Sequence, residues 1–251
     1  MIDLNADLGE GVGDDLAMLQ IVTRASIACG GHAGDETTMR TALRGALAHH
    51  VTIGAHPGFA DREHFGRRRL DLPLATICGQ VIDQITTLKA IAVEEGARVE
   101  YFKLHGALAN MASEDSNLAS TIFSAINTEF PELAVLALAQ SAQTEAASGL
   151  ELDFISEAYA DRAYTADGLL ASRSLPGSVI EDEQTVVERC LRLAKKGEII
   201  AIDGSVFRSD ARSICLHGDT PGAVGLARSV REALQGAGFM VLPSNARLPL
   251  R

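Results

Sequence analysis

Val51-Thr52-Ile53-Gly54-Ala55-His56-Pro57-Gly58 and Tyr101-Phe102-Lys103-Leu104-His105-Gly106 are two short apolar runs, each leading into a histidine and a glycine-containing turn. They are too short for helices and read as buried strands. Between them, residues 74–95 repeat their apolar positions at helical spacing. A strand, a long helical crossover and a second strand form the unit that parallel pairing requires.

The same alternation extends in both directions. Strands are expected at residues 1–5, 26–29, 51–55, 101–104, 134–138, 154–158, 199–202 and 214–216, and helices at 36–49, 74–95, 117–130, 183–195 and 223–235. Several of the helices follow an Asp or Ser suited to capping an amino terminus. The pattern is α/β, a parallel sheet covered by helices, either wound open or closed into a barrel. With 251 residues, 47% of them hydrophobic, one domain spanning 1–251 is expected. Residues 164–178, with their Gly and Pro, read as an inserted loop.

A formal charge of −11 repels nucleic acid and anionic lipid, and the longest basic run is Arg67-Arg68-Arg69, so a small-molecule partner is expected. Cys29, Cys78, Cys190 and Cys215 lack metal-site spacing and read as reduced, buried thiols. The start, Met1-Ile2-Asp3-Leu4-Asn5, has no basic and apolar export signature, and a cytoplasmic location is expected.

Position is the informative property of the polar residues. Of the seven histidines, His32, His56, His105 and His217 fall at or just beyond expected strand ends, where the loops of parallel sheets converge on a ligand. Asp3-Leu4-Asn5-Ala6-Asp7-Leu8-Gly9-Glu10 places Asn5, Asp7 and Glu10 where the first strand leaves the core. Cys29-Gly30-Gly31-His32-Ala33-Gly34-Asp35 surrounds a histidine with glycines ahead of a helix start whose amides could face an anion. Gly66-Arg67-Arg68 could hold a carboxylate in a planar fork. Lys103 and His105, two apart on one strand, share a face. Asp161-Arg162 and His217-Gly218-Asp219 complete the set. Any one cluster is ordinary local chemistry; five together read as an active site.

In this order the motifs resemble those of the LamB/YcsF family, the A subunit of bacterial 5-oxoprolinase. Besides the first-strand motif they comprise Ala28-Cys29-Gly30 with His32-Ala33-Gly34-Asp35, Gly54-Ala55-His56-Pro57, Gly66-Arg67-Arg68, Ala160-Asp161-Arg162-Ala163-Tyr164 with Asp167-Gly168, and Ile214-Cys215 with His217-Gly218-Asp219-Thr220-Pro221. Leu104 and Ala109 depart from the family's usual Pro and Tyr, and Gly31, Gly58 and Ala60 replace bulkier or stiffer residues.

The resemblance implies an irregular seven-stranded (β/α) barrel similar to the polysaccharide deacetylases. It implies ATP-dependent opening of 5-oxo-L-proline to L-glutamate, with ATP as co-substrate and subunits B and C as partners. No Gly-rich loop ending in Gly-Lys-Ser/Thr occurs, so nucleotide chemistry could reside mainly in those partners. Under this reading Asp7 or His105 is the base for water, Lys103 and His32 stabilise oxyanion charge, and Arg67 or Arg162 takes the substrate carboxylate. Asn5, His56, Arg68, Asp161, His217 and Asp219 are further substrate-binding candidates.

Two other classes fit the residues. A divalent metal on Asp7, His32, His56 and His217 would make the chain a metal-dependent deacetylase or amidohydrolase. A non-catalytic subunit that captures a small carboxylate would use the same arginines and glycines. Analogy with other barrel enzymes allows a homo-oligomer.

Overall fold

The computed structural model describes residues 1–218 and 222–243. Seven parallel strands close into a barrel in the order β1 (Asp3–Leu8), β2 (Arg24–Ala28), β3 (Thr52–His56), β4 (Val99–Phe102), β5 (Ala134–Leu138), β6 (Phe154–Tyr159) and β9 (Ser213–His217), with β9 pairing back onto β1. Around it run α1 (Asp15–Leu19), α2 (Glu36–Ala48), α3 (Leu74–Glu94), α4 (Gly106–Glu114), α5 (Ser116–Glu129), α6 (Ala142–Gly149), α7 (Glu183–Lys196) and α8 (Ala223–Gly236). Among the described residues no helix is long and apolar enough to cross a membrane.

The barrel uses the two-residue period of its strands in an unusual sense. In β1, Leu4, Ala6 and Leu8 join the main apolar core beneath the helices. Asp3, Asn5 and Asp7 alternate with them and turn into the lumen. The expected first strand, 1–5, therefore stops short: pairing continues to Leu8, because polar residues are tolerated inside where partners from other strands meet them. At the bottom of the lumen Tyr101, Leu136 and Ile155 form a small apolar cluster of their own. Gly54 lies opposite Tyr101, and any side chain there would occupy the space of the phenol ring.

The expected strand at 199–202 is a correction. Glu198–Ile200 forms β7, which pairs antiparallel with β8 (Val206–Arg208) in a hairpin separate from the barrel. Its side chains alternate between buried and half-buried instead of being wholly buried as in β2. Asp203-Gly204 in the connection, with Gly204 at φ +86°, is the hairpin signal that identifies it. The segment after β6, including the 164–178 loop, α7 and this hairpin, is a long excursion before the chain returns as β9.

Candidate active site

Closure brings the motif residues to one mouth. Register places Asp7 beside His217 and Asn5 beside Cys215 across β1 and β9, and Ala28 beside His56 across β2 and β3. Lys103 and His105 lie beyond the end of β4, so the expected strand through residue 104 is shorter. The pairing geometry nonetheless persists: their amides donate to Ala55 O and Pro57 O at 2.9 and 2.8 Å. Both side chains consequently enter from the same side.

Lys103 is only 1% exposed. Its Nζ donates to Asp7 Oδ1 at 2.9 Å and Asn5 Oδ1 at 3.2 Å, and pairs with Glu157 Oε2 at 3.1 Å. Asn5 donates in turn to Glu157 Oε2 and Ser213 Oγ at 3.2 and 2.8 Å. Burial opposes the ammonium charge, but the surrounding anionic groups, Asp7 foremost, hold it well above its ordinary range. Burial likewise opposes the Asp7 charge, and His56 and Lys103 overcome it, so this carboxyl lies well below its ordinary range. Lys103 and Asn5 thus form the floor that orients Asp7.

Above that floor is an imidazole cluster. His56 Nδ1 donates to Lys103 O at 2.8 Å, and His56 Nε2 faces Asp7 Oδ2 at 3.3 Å. His105 Nε2 donates to Phe65 O at 3.0 Å, and its Nδ1 lies 3.0 Å from His56 Nε2 and 3.3 Å from Glu10 Oε1. His32 stacks on His105 with 3.5 Å between centroids, and its Nε2 meets Glu10 Oε1 at 3.1 Å. Burial, reinforced by His56, pushes the His32 imidazole down to about 2, and burial with His32 and His56 takes His105 well below its usual range. His217 Nδ1 pairs with Asp161 at 2.8 Å.

A cavity of about 450 Å³ opens onto this cluster. Asp7, Glu10, His56, His105 and His217 line it, with Arg67, Arg69, Arg162 and Arg173 around them. Arg67, Arg162 and Arg173 bring positive charge to this mouth on a chain of net charge −11 and so favour small anions, while Arg69 is paired with Glu114, which also lines the cavity. Its size falls in the range of small-molecule sites.

Several sequence candidates stand differently from their expected places. His32 lies behind His105 and reaches the cavity only through Glu10. Arg68 points toward Asp61, 3.6 Å away, and does not line the cavity. Arg67 does line it, its guanidinium 4.9 Å from the Phe65 ring centroid. Arg162 lines it too, while binding Ala171 O at 2.6 Å and Ser178 O at 3.3 Å, which ties the 164–178 loop over the mouth. The amino terminus of α2 is already served by its own Asp35 side chain, which accepts from Thr38 N. Asp219 lies outside the described residues. Donor atoms that could share an ion fall into two groups, Glu10/His32/His56/His105 and Asp7/Cys215/His217, so Asp7, His32, His56 and His217 are divided between them.

Sequence reasoning assigned no role to Glu10, although it closes the first-strand motif, and none to Glu157, Arg69 or Arg173. Glu157 could have been found from parity: it shares one face of β6 with Ile155 and Tyr159. Burial lifts Cys29 to about 12 and Cys215 well above its ordinary range; Cys78 is half-buried, and all four are free. Of the departures, Leu104 and Ala109 line the cavity, whereas Gly31, Gly58 and Ala60 do not. Gly31 makes room for Gln84, whose amide holds Gly58 by Nε2 to O at 2.7 Å and N to Oε1 at 3.1 Å.

Comparison with known proteins agrees with this architecture. The chain is similar to a lactam utilization protein from Thermus thermophilus, with 38% identity over 96% of this chain and 98% of that one, at a TM-score of 0.89. It shares its fold with a putative cellobiose-phosphate cleavage protein from Enterococcus faecalis (12% identity, 97% and 96% covered, TM-score 0.56). A peptidoglycan deacetylase from Bacillus subtilis shares it as well (12% identity, 96% and 87% covered, TM-score 0.50). Residues 2–248 match the LamB/YcsF family, and the chain belongs to that family.

Proposed function

We propose that the chain is the A subunit of an ATP-dependent 5-oxoprolinase, opening 5-oxo-L-proline to L-glutamate together with subunits B and C. Family membership and the similarity to a lactam utilization protein support action on a cyclic amide. The observation that carries the reading is the small cavity with carboxylates and imidazoles at its base and arginines at its rim, complementary to a compact anionic lactam.

An unstrained lactam is a poor electrophile, which is why the reaction is coupled to ATP. Transfer of the γ-phosphoryl group to the amide oxygen releases ADP and leaves an activated imidate. Water adds at the former carbonyl carbon, the C–N bond breaks with nitrogen leaving as the amine, and the resulting acyl phosphate is cleaved by a second water. Both candidate bases line the cavity: burial keeps His105 a neutral imidazole, and Lys103 and His56 keep the Asp7 carboxylate ionised, so either presents a proton acceptor to water, with Lys103 tempering the basicity of Asp7. Lys103 acts beneath it as a positioning residue. Arg67 and Arg162 supply cationic groups for the substrate carboxylate, and Arg173 at the rim suits a phosphoryl group.

The test is glutamate release from 5-oxoproline and ATP by the chain alone and with its B and C partners. Release only with the partners and ATP supports the reading, and Asp7→Asn should then lower turnover by about 10²–10⁴. Absence of glutamate in every combination refutes it. The imidazole cluster favours a second reading, a metal-dependent amidohydrolase, which chelator-sensitive hydrolysis of an N-acyl substrate without ATP would support.

A further inference from the structure

The hydrogen bonds of His56 and His105 leave their inner nitrogens in conflict. A backbone carbonyl can only accept, so His56 Nδ1 and His105 Nε2 are both N–H donors, to Lys103 O and Phe65 O. In the neutral rings the other nitrogens, His56 Nε2 and His105 Nδ1, carry lone pairs. These face each other at 3.0 Å, with Asp7 Oδ2 3.3 Å from the first and Glu10 Oε1 3.3 Å from the second. Three acceptors, His56 Nε2, His105 Nδ1 and Glu10 Oε1, thus converge in a buried place with Asp7 beside the first, and something positive must stand among them, a proton or a cation.

The spacing favours the larger occupant. Ligand atoms about 2.0–2.1 Å from an ion in a tetrahedral array lie about 3.3 Å from one another. Among His56 Nε2, His105 Nδ1 and Glu10 Oε1 the separations are 3.0, 3.3 and 4.0 Å. Each ring is fixed through its outer N–H to a carbonyl, the arrangement that orients imidazole ligands toward a metal. Asp7 gives its other oxygen to Lys103, and Glu10 is held by His32 Nε2. His32 Nδ1 has no partner, which suits a ring that donates through Nε2 to Glu10, since only a lone pair is then left idle.

We propose that Glu10, His56 and His105 form a binding site for one divalent transition-metal cation, with His32 as a positioning residue for Glu10. Mixed imidazole and carboxylate donors select zinc, manganese or a similar ion over magnesium and calcium. All three residues line the cavity, so the ion would face it. Bound there, it would supply Lewis acidity toward an oxygen of the substrate. His217 is not a member, because its donor atom groups with Asp7 and Cys215 and not with Glu10, His56 and His105.

The experiment uses the full chain stripped with EDTA and dialysed free of chelator. Zn²⁺ and Mn²⁺ are titrated calorimetrically, and Co²⁺ is followed by its visible absorption. Expected are one ion per chain and an intense Co²⁺ spectrum of low coordination number. Affinity should fall by at least about 100-fold in His56→Gln and His105→Gln, fall by about 10–100-fold in His32→Asn, and stay unchanged in His64→Asn, a surface imidazole. Because the ligand variants could fail to fold, the wild-type Co²⁺ spectrum is an independent readout. No saturable binding, or a weak spectrum of the hydrated ion, overturns the proposal. So does loss of binding in His217→Asn with binding retained in His105→Gln, which would locate the ion at the second donor group. Metal binding is read without substrate or nucleotide, so its failure leaves the lactam reading standing.

Discussion

Replacing Lys103 by Met keeps most of the side-chain volume and removes the one ammonium that serves both Asp7 and Glu157, at 2.9 and 3.1 Å. Breaking a buried ion pair at one partner costs about 3–5 kcal/mol, because the remaining charge stays in the interior without compensation. Taking ~4 kcal/mol and a urea m-value of about 3 kcal/mol/M, the unfolding midpoint should drop by ~1.3 M. The comparator is Lys89→Met, whose partially exposed bridge to Glu132 is worth about 0–1 kcal/mol. Acidity separates charge from packing. Asp7 titrates below its ordinary range in the folded protein, so its contribution is present above the unfolded carboxylate value and is lost as pH falls through the folded one. In Lys103→Met one of the two groups that hold that carboxyl down is gone while His56 remains, so the carboxyl rises relative to the wild type and the variant loses less stability on acidification. The gap between the two should therefore narrow as pH falls through the carboxylate range. A deficit below about 1 kcal/mol at pH 7, or one that is independent of pH, refutes the reasoning.

Gly54→Ala should cost about 1–3 kcal/mol in urea unfolding through overpacking against Tyr101, and Tyr101→Leu in the same chain should recover part of it; no cost would mean the lumen has spare volume. Burial works against the His217 charge, but Asp161 outweighs it and raises the imidazole, while His217 helps to lower Asp161. The histidine contribution is full below about 6.5 and is lost as pH rises through the raised folded value; the aspartate contribution is present above about 3.9 and lost on acidification through the lowered one. His217→Asn should therefore destabilise more at pH 5 than at pH 9, and equal urea-midpoint losses at both would dismiss the pair as a stabiliser. Arg162→Met removes the clamp on Ala171 O and Ser178 O, so limited proteolysis should cut within 164–178 faster than in the wild type; unchanged cleavage would show that other contacts hold the loop.

The strand and helix alternation was legible because Ile53, Ala55, Val135 and Leu136 belong to runs whose apolar character does not depend on which face is inward. Short α1, α4 and α6 were not, since a helix of two turns carries too little periodicity to separate from a loop. The histidines were found by address, as parallel strands all release their loops at one end. What stayed hidden was pairing across the barrel: nothing local to Lys103 indicates Glu157, and nothing local to Glu10 indicates His32 and His105. The missed end of β1 has the same origin. Asp3-Leu4-Asn5-Ala6-Asp7-Leu8 alternates perfectly, but parity states only that its acids share a face. That face becomes an interior when β9 closes on β1, and the acids are tolerable there because Arg24 and Lys103 reach them, at 2.5 Å for Arg24 Nε on Asp3 and 2.9 Å for Lys103 Nζ on Asp7. Closure turns a sequence that looks like a solvated acidic turn into the wall of a charged cavity, which is why the site depends on the fold being a barrel and not an open sheet.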